Sequence, residues 1–80
     1  MLQDTQTVRC YQRITDALVD QWNRGYRTDD LRLYLEGYLA ALRHTEAIEP
    51  FLINRLEEES SRFLHDPSNF ASPESKFGYY

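Results

Sequence analysis

The sequence predicts an all-α fold, a small three-helix bundle followed by a poorly ordered C-terminal tail. Apolar residues recur at three- and four-residue steps in three stretches, which is the spacing of amphipathic helices. Only three prolines are present, and two of them follow residue 66, so helix breakers are scarce before that point. We therefore expect a three-helix domain over residues 1–66, with helices at about 5–23, 29–44 and 50–65, and an irregular tail over 67–80.

The first helix is predicted to begin at Asp4 or Thr5, because either side chain can accept hydrogen bonds from amides two or three residues later. Its apolar stripe comprises Val8, Tyr11, Ile14, Leu18 and Trp22. Gly25 is expected to follow the end of this helix with a positive φ. The connection is short enough that the second helix must turn back against the first.

The second helix is expected to be the central element, contacted by a neighbour on each side. Thr28 is its predicted N-cap, and Asp29 and Asp30 follow in the first turn, where the helix dipole favours negative charge. Its core stripe comprises Leu31, Tyr34, Leu35, Tyr38, Leu39 and Leu42, widened by Leu33, Ala40 and Ala41. Gly37 costs about 1 kcal/mol relative to Ala inside a helix. We expect another helix backbone to approach it closely; a hinge or a ligand contact is the alternative.

The third helix is predicted to start at Glu49 or Pro50, because Pro disfavours a helical conformation in the preceding residue and suits a first turn. A shorter break, with Thr45 capping the third helix, is the alternative. The apolar side comprises Phe51, Leu52, Ile53, Leu56, Phe63 and Leu64, and Ser60 interrupts it. The pair Asp66-Pro67 is expected to end the helix.

The tail has no helical periodicity, yet it contains more aromatic residues than a disordered, fully solvent-exposed segment usually does. These residues are Phe70, Phe77, Tyr79 and Tyr80. Either Phe70 folds back onto the helices, or the aromatic side chains of the tail bind a partner.

Composition argues against several classes of protein. The formal net charge of −4 argues against electrostatic binding to nucleic-acid phosphates or to an anionic membrane. Cys10 is the only cysteine, so no internal disulfide can form and a disulfide-stapled secreted scaffold is excluded. The sequence shows no apolar run of about 18 residues, and we expect no leader peptide because no basic stretch followed by an apolar one is seen. We therefore expect a soluble cytoplasmic protein that does not insert into membranes.

No catalytic or metal-binding motif is present, so we expect no enzyme activity and no cofactor. Cys10 lies off the main stripe of the first helix, and no motif places His44 or His65 beside it. A metal-binding protein or enzyme using these three residues remains an alternative. A small regulatory nucleic-acid-binding protein is another alternative, although the second helix has only Arg32 and Arg43 as basic residues with which to contact DNA.

The favoured hypothesis is a non-catalytic protein–protein interaction or adaptor module. Trp, Tyr and Arg are the residue types most enriched at interface hot spots. Four such residues lie at the connection between the first and second helices, and we call them the first-turn cluster: Trp22, Arg24, Tyr26 and Arg27. If exposed, this cluster would bind an acidic partner peptide. The alternative is that Trp22 and Tyr26 only cap the core. A second predicted docking segment comprises Phe77, Tyr79 and Tyr80. A homodimer is one alternative to binding of a different protein, because small bundles with wide apolar stripes often pair.

The stretches YLEGYLAALRHTEAIEPFLINRLEEE and RFLHDPSNF resemble a family of short, functionally uncharacterised helical proteins found in cyanobacteria. The resemblance covers about residues 3–70 and leaves the FASPESKFGYY end outside it. It implies a small soluble helical protein in the cytoplasm of a photosynthetic bacterium. It implies no active site, because none is known for the family.

Overall fold

A computed structural model describes residues 4–70, and this part of the chain is helical without strands. Three α-helices follow one another: α1 is Thr5–Asn23, α2 is Thr28–Thr45 and α3 is Pro50–Leu64. A short 3₁₀ helix, Pro67–Phe70, follows α3. The predicted all-α bundle is confirmed, and each predicted helix agrees with the observed bounds to within one residue.

Local capping interactions fix the start of α1. The N-cap is Asp4, whose Oδ2 accepts a hydrogen bond from the Thr7 N–H at 3.1 Å. The Thr7 hydroxyl in turn donates to the carbonyl oxygen of Asp4 at 2.9 Å. Of the two predicted caps, the structure therefore uses Asp4 and not Thr5.

The turn between α1 and α2 depends on a glycine conformation. Gly25 has a φ of +103°, a region that residues with a Cβ rarely adopt. The N-cap of α2 is Arg27, and the Asp30 carboxylate accepts a hydrogen bond from the Arg27 N–H at 3.2 Å. Thr28 is the first residue of the helix, so the prediction that Thr28 is the cap is wrong by one position.

The turn between α2 and α3 begins at Glu46, which adopts the left-handed conformation with a φ of 58°. Glu49 is the N-cap of α3 and Pro50 occupies its first turn, as predicted from the restrictions that Pro imposes. Thr45 ends α2, where its hydroxyl donates to the carbonyl oxygen of Leu42 at 2.9 Å. The alternative in which Thr45 caps α3 is therefore wrong.

The three helices enclose one apolar core, and α3 is its central element. Each of the other helices packs more extensively against α3 than α1 and α2 pack against each other. The predicted central role of α2 is thus wrong, although α2 does contact both neighbours. The buried apolar residues are Cys10, Ile14, Leu18, Leu31, Leu35, Leu39, Ile48, Ile53, Leu56, Leu64 and Phe70.

Small and polar residues share this core with the aliphatic ones. Thr7 and Ser60 are fully buried, and Cys10 is also buried, so the prediction that Cys10 lies off the core stripe is wrong. Within residues 4–70, the Ser60 Oγ has no hydrogen-bond partner. Conversely, Phe51 was expected on the apolar side of α3 but is 58% exposed, because it lies opposite the Ile53 and Leu56 face.

The C-terminal end of the described chain is more ordered than the sequence predicts. The Asp66 carboxylate accepts hydrogen bonds from the Ser68 N–H at 3.0 Å and from the Ser68 hydroxyl at 2.7 Å. The Asn69 side-chain amide donates to the carbonyl oxygen of Phe63 at 2.9 Å. The irregular tail predicted from residue 67 is therefore wrong for 67–70, where a 3₁₀ helix brings Phe70 into the core. The rest of that prediction, for 71–80, lies outside the described residues.

Candidate functional site

The first-turn cluster is built around the side chain of Trp22, which is half-buried near the end of α1. The Arg27 guanidinium lies over its indole, with Cζ 4.1 Å from the ring centroid, a cation–π contact. The Arg27 Nη1 also donates hydrogen bonds to the carbonyl oxygens of Trp22 at 3.2 Å and Tyr26 at 2.8 Å. One arginine of the cluster is thus held by the chain itself.

The other side of Trp22 packs into the core. Its ring centroid lies 5.3 Å from that of Phe70. Phe70 in turn lies 5.6 Å from Phe63, and Phe63 lies 6.3 Å from Tyr11. This row of four rings joins α1, α3 and the 3₁₀ helix. Trp22 therefore helps to close the core at this end, in agreement with the alternative that it caps the core.

The remaining members of the first-turn cluster are exposed but lie among acidic groups. Arg24 pairs with Asp20 across one helical turn at 2.9 Å. Tyr26 is 49% exposed, and the first turn of α2 that follows places Asp29 and Asp30 nearby. An acidic partner peptide would meet these carboxylates, so the cluster offers it less net positive charge than its two arginines suggest. The other predicted docking residues, Phe77, Tyr79 and Tyr80, lie outside the described residues.

A second exposed surface lies on α2 and includes Leu33, Ala40 and Ala41, which were predicted to widen the core. Leu33 is 68% exposed, the largest exposed fraction among the large apolar side chains described. Gly37, Ala40, Ala41 and His44 follow it at helical spacing and are exposed as well. We call these five residues the outer face of α2. The expectation that Leu33, Ala40 and Ala41 widen the core stripe is therefore wrong.

The glycine within the outer face of α2 has no partner inside the described chain. A Cβ built on Gly37 would meet no atom within 4 Å outside its own helix backbone and chain neighbours. The expectation that another helix backbone of the protein approaches Gly37 is therefore wrong. One signal in the sequence pointed to this surface: α2 has apolar residues over a wider arc than a single core stripe uses.

The boundary between the outer face and the core is marked by two tyrosines of α2. Tyr34 and Tyr38 are half-buried, with ring centroids 6.0 Å apart. Burial raises the pKa of both phenols. For Tyr38 the neighbouring Cys10 thiol raises the pKa further, and Arg13 acts in the opposite direction. The phenol of Tyr38 therefore lies against α1.

The structure does not bring the three candidate chemical residues together in one site. Cys10 is buried in the second turn of α1, whereas His44 is exposed in the last turn of α2. His65 follows the last turn of α3, and its Nδ1 lies 2.8 Å from the carbonyl oxygen of Ser61. Among residues 4–70, no group of three His, Cys, Asp or Glu side chains could hold a metal ion.

The described surface includes an open pocket at each of two places. One, of about 270 Å³, lies beside the aromatic row and is lined by Trp22, Thr28, Leu64, His65, Pro67 and Phe70. The other, of about 540 Å³, lies at the turn between α2 and α3, where Ile48, Pro50 and Ile53 form part of its wall. Arg43 stands at the rim of the second pocket, but its Nη2 already pairs with Glu57 at 2.8 Å.

Within the part of the chain that the structure describes, none of the helices has both the length and the apolar character needed to cross a bilayer.

Comparison with known proteins places the chain in a family. No curated protein and no solved structure matches the sequence significantly. The model of a family of unknown function, DUF6761, matches residues 1–80. Because this match covers the whole sequence, the chain belongs to the DUF6761 family.

Proposed function

We propose that the protein is a non-catalytic protein–protein interaction module. The observation that supports this most directly is the outer face of α2, where Leu33 is 68% exposed beside Gly37, Ala40 and Ala41. The surfaces of α1 and α3 carry ion pairs instead, as Arg24–Asp20 at the end of α1 and Arg62–Glu59 on α3 illustrate. An apolar helix face within a charged surface is the arrangement that a partner helix or groove recognises.

Covering the outer face of α2 with a binding partner is favourable in free energy. Covering an exposed Leu side chain removes apolar surface from water, which contributes about 1.5–3 kcal/mol when the burial is complete. The small residues that follow Leu33 allow a partner backbone to approach α2 closely, so that dispersion contacts add to this gain. Catalysis would instead require convergent polar groups, and the candidate residues Cys10, His44 and His65 belong to three different helices or their caps.

The test is site-specific photo-crosslinking in native lysate. A photoreactive phenylalanine analogue placed at Leu33 should yield a reproducible product of higher mass, whether the captured chain is foreign or identical. The same analogue at Phe51, which is comparably exposed on α3, is the matched control and should yield none. Absence of a product from the Leu33 probe, or equal products from both probes, would contradict an interaction through α2.

The first-turn cluster remains a second candidate surface for the same function. Tyr26 is exposed, and the ordered pair of Trp22 and Arg27 gives it a rigid neighbour. Hot spots are commonly built from rigid aromatic and arginine side chains of this kind. If this cluster binds the partner, Tyr26→Ala should abolish lysate capture while Leu33→Ser leaves capture unchanged.

The nucleic-acid-binding and the metal-binding or enzymatic alternatives stay predictions with their own tests. A gel-shift series at low salt that shows retention of DNA or RNA would favour the first alternative over an interaction module. Metal in the purified protein, with stability that falls in chelator, would favour the second. The cytoplasmic location and the cyanobacterial origin are likewise inferred, and what supports them is the resemblance described above.

A further inference from the structure

The position of Gly37 requires an explanation that the single chain does not provide. Glycine inside a helix is less stable than Ala, because it loses more backbone freedom on folding. Among the described residues the space beside its Cα is empty, since an added Cβ would meet none of their atoms within 4 Å outside the adjoining backbone of α2. The adjoining Leu33 is also left uncovered by the described chain. Both features are accounted for if another helix lies along this face.

We propose that the occupant is a second copy of this chain, with the two α2 helices antiparallel across a twofold axis that passes near Gly37. This inference deepens the proposed function and rests on it. The order of residues along α2 on either side of Gly37 favours this arrangement. In an antiparallel pair centred on Gly37, a residue a given number of positions before the glycine meets the residue the same number of positions after it.

The sizes of the side chains match in this register. Leu33 lies four positions before Gly37, and Ala41 lies four positions after it. Each copy would therefore place a large apolar side chain over a small one of its partner, on both sides of the axis. At the axis the two glycines let the helix backbones approach closely, because neither projects a side chain.

The charges match as well. Asp30 lies seven positions before Gly37 and His44 lies seven positions after it, and both are exposed. The twofold axis would bring Asp30 of each copy beside His44 of the other, forming two identical pairs of an acceptor carboxylate with an imidazole donor. A parallel pair in register would instead place Asp30 against Asp30 and His44 against His44. The antiparallel arrangement is therefore the one that the charges favour.

The expected affinity is modest. An 18-residue helix is about 27 Å long at about 1.5 Å per residue, so one helix face forms an interface at the small end of the stable range. We therefore expect a dissociation constant of the dimer in the micromolar range. Sedimentation velocity on the full chain, from low micromolar to millimolar concentration, should show a monomer–dimer equilibrium.

Two variants test the location of the interface. Gly37→Lys puts bulk and like charges at the axis, and Leu33→Ser removes the main apolar contact. Each substitution should therefore raise the dissociation constant of the dimer at least tenfold. The control is Phe51→Ser, which removes a comparably exposed apolar side chain from α3 and should leave the equilibrium unchanged. Helical circular dichroism should stay constant in all three, because none of these side chains is buried. A dimer that survives the first two variants, or that is weakened as much by the control, would overturn the proposed location.

A charge exchange tests the antiparallel register. Asp30→Lys should weaken the dimer because it removes the carboxylate that accepts from the His44 imidazole, and His44→Asp should weaken it by placing two carboxylates together. Mixing the two variants should restore a heterodimer, because the introduced lysine of one copy then meets the introduced aspartate of the other, while the second pair stays native. A mixture that stays monomeric, with both variants folded, would overturn this register.

The outcomes separate this inference from the proposed function. If wild-type protein is a monomer at every concentration, the second copy is not the occupant and the inference fails. If the Leu33 crosslinking probe then captures a foreign protein, the proposed interaction function still stands. If the probe captures nothing and the protein is a monomer, both fail.

Discussion

Replacing Phe70 with Ala is the sharpest test of the structural account, because the sequence assigned this residue to an irregular tail. In the structure Phe70 is only 7% exposed and belongs to the core. Its ring centroid lies 5.3 Å from Trp22 and 5.6 Å from Phe63. Phe70→Ala therefore removes the ring between these two and leaves a cavity that they border.

The magnitude follows from these contacts. Truncating a buried Phe to Ala costs about 3–5 kcal/mol, and each aromatic pair contributes about 0.5–1.5 kcal/mol beyond area burial. Phe70 lies at one end of the fold, where neighbouring side chains can partly close the cavity, so we expect a loss of about 3 kcal/mol. A chain of 80 residues has a free energy of unfolding of about 4–12 kcal/mol. The variant should therefore lose between a quarter and most of the total stability.

The assay is urea denaturation followed by circular dichroism and by the fluorescence of Trp22, the only Trp in the chain. With a slope of about 1 kcal/mol per molar urea, the midpoint should fall by roughly 3 M. Phe51→Ala makes the same chemical change at a position that is 58% exposed, and should cost no more than about 0.5 kcal/mol. Equal midpoints for the two variants would refute this account of Phe70. Should Phe70→Ala fail to fold, Phe70→Leu should still cost about 1 kcal/mol.

Three further predictions test single features of the fold. Gly25→Ala should cost about 1–2 kcal/mol because of its φ of +103°, whereas Gly37→Ala, in dilute solution, should add about 0.5–1 kcal/mol. Thermal melts in which Gly25→Ala and Gly37→Ala change stability in the same direction would contradict this prediction. Ser60→Ala should add about 1 kcal/mol in urea titrations, because the Ser60 Oγ is buried without a hydrogen-bond partner, and a net loss would count against that. Burial raises the pKa of Tyr38, so its contribution to stability is complete below the unfolded pKa of about 10 and is lost as pH rises through the higher folded value. Stability should thus fall at alkaline pH, and less steeply in Tyr38→Phe; identical slopes would speak against it.

The helix boundaries were predictable because local interactions determine them. Asp4 caps the amide three residues later, Gly25 supplies a positive φ, and Pro50 restricts its own residue and the preceding one. Each of these effects operates within a few residues and leaves a signature in the sequence. The single-residue error at Thr28 has a local cause too: Asp30 binds the Arg27 N–H and moves the cap back by one position.

The rotation of each helix about its axis was not predictable, because tertiary packing sets it. In α1 the buried line runs through Thr7 and Cys10, next to the apolar residues that the periodicity favoured. In α2 the same effect leaves Leu33 outside the core, although its neighbour Leu31 is fully buried. Hydrophobicity alone cannot distinguish these two leucines, because each fits a wide apolar arc.

The candidate surfaces were predictable only in part. Composition identified the Trp, Tyr and Arg residues of the first-turn cluster, but not that Arg27 stacks on Trp22 or that Phe70 covers the other side of the indole. Phe70 reaches that position through hydrogen bonds of Asp66 and Asn69, which join the 3₁₀ helix to the end of α3. Those hydrogen bonds are local, but the contact that they permit, between Phe70 and Trp22, joins residues far apart in sequence and has no periodic signature.

The burial of Cys10 gives the chain an intrinsic probe of its own opening. Its thiol is the sole one present and is shielded by the bundle beside Tyr38. A bulky maleimide or disulfide reagent can therefore modify it only during excursions in which α1 separates from its neighbours. The labelling rate in native buffer reports how often this happens, and its dependence on denaturant distinguishes detachment of one helix from loss of the whole fold.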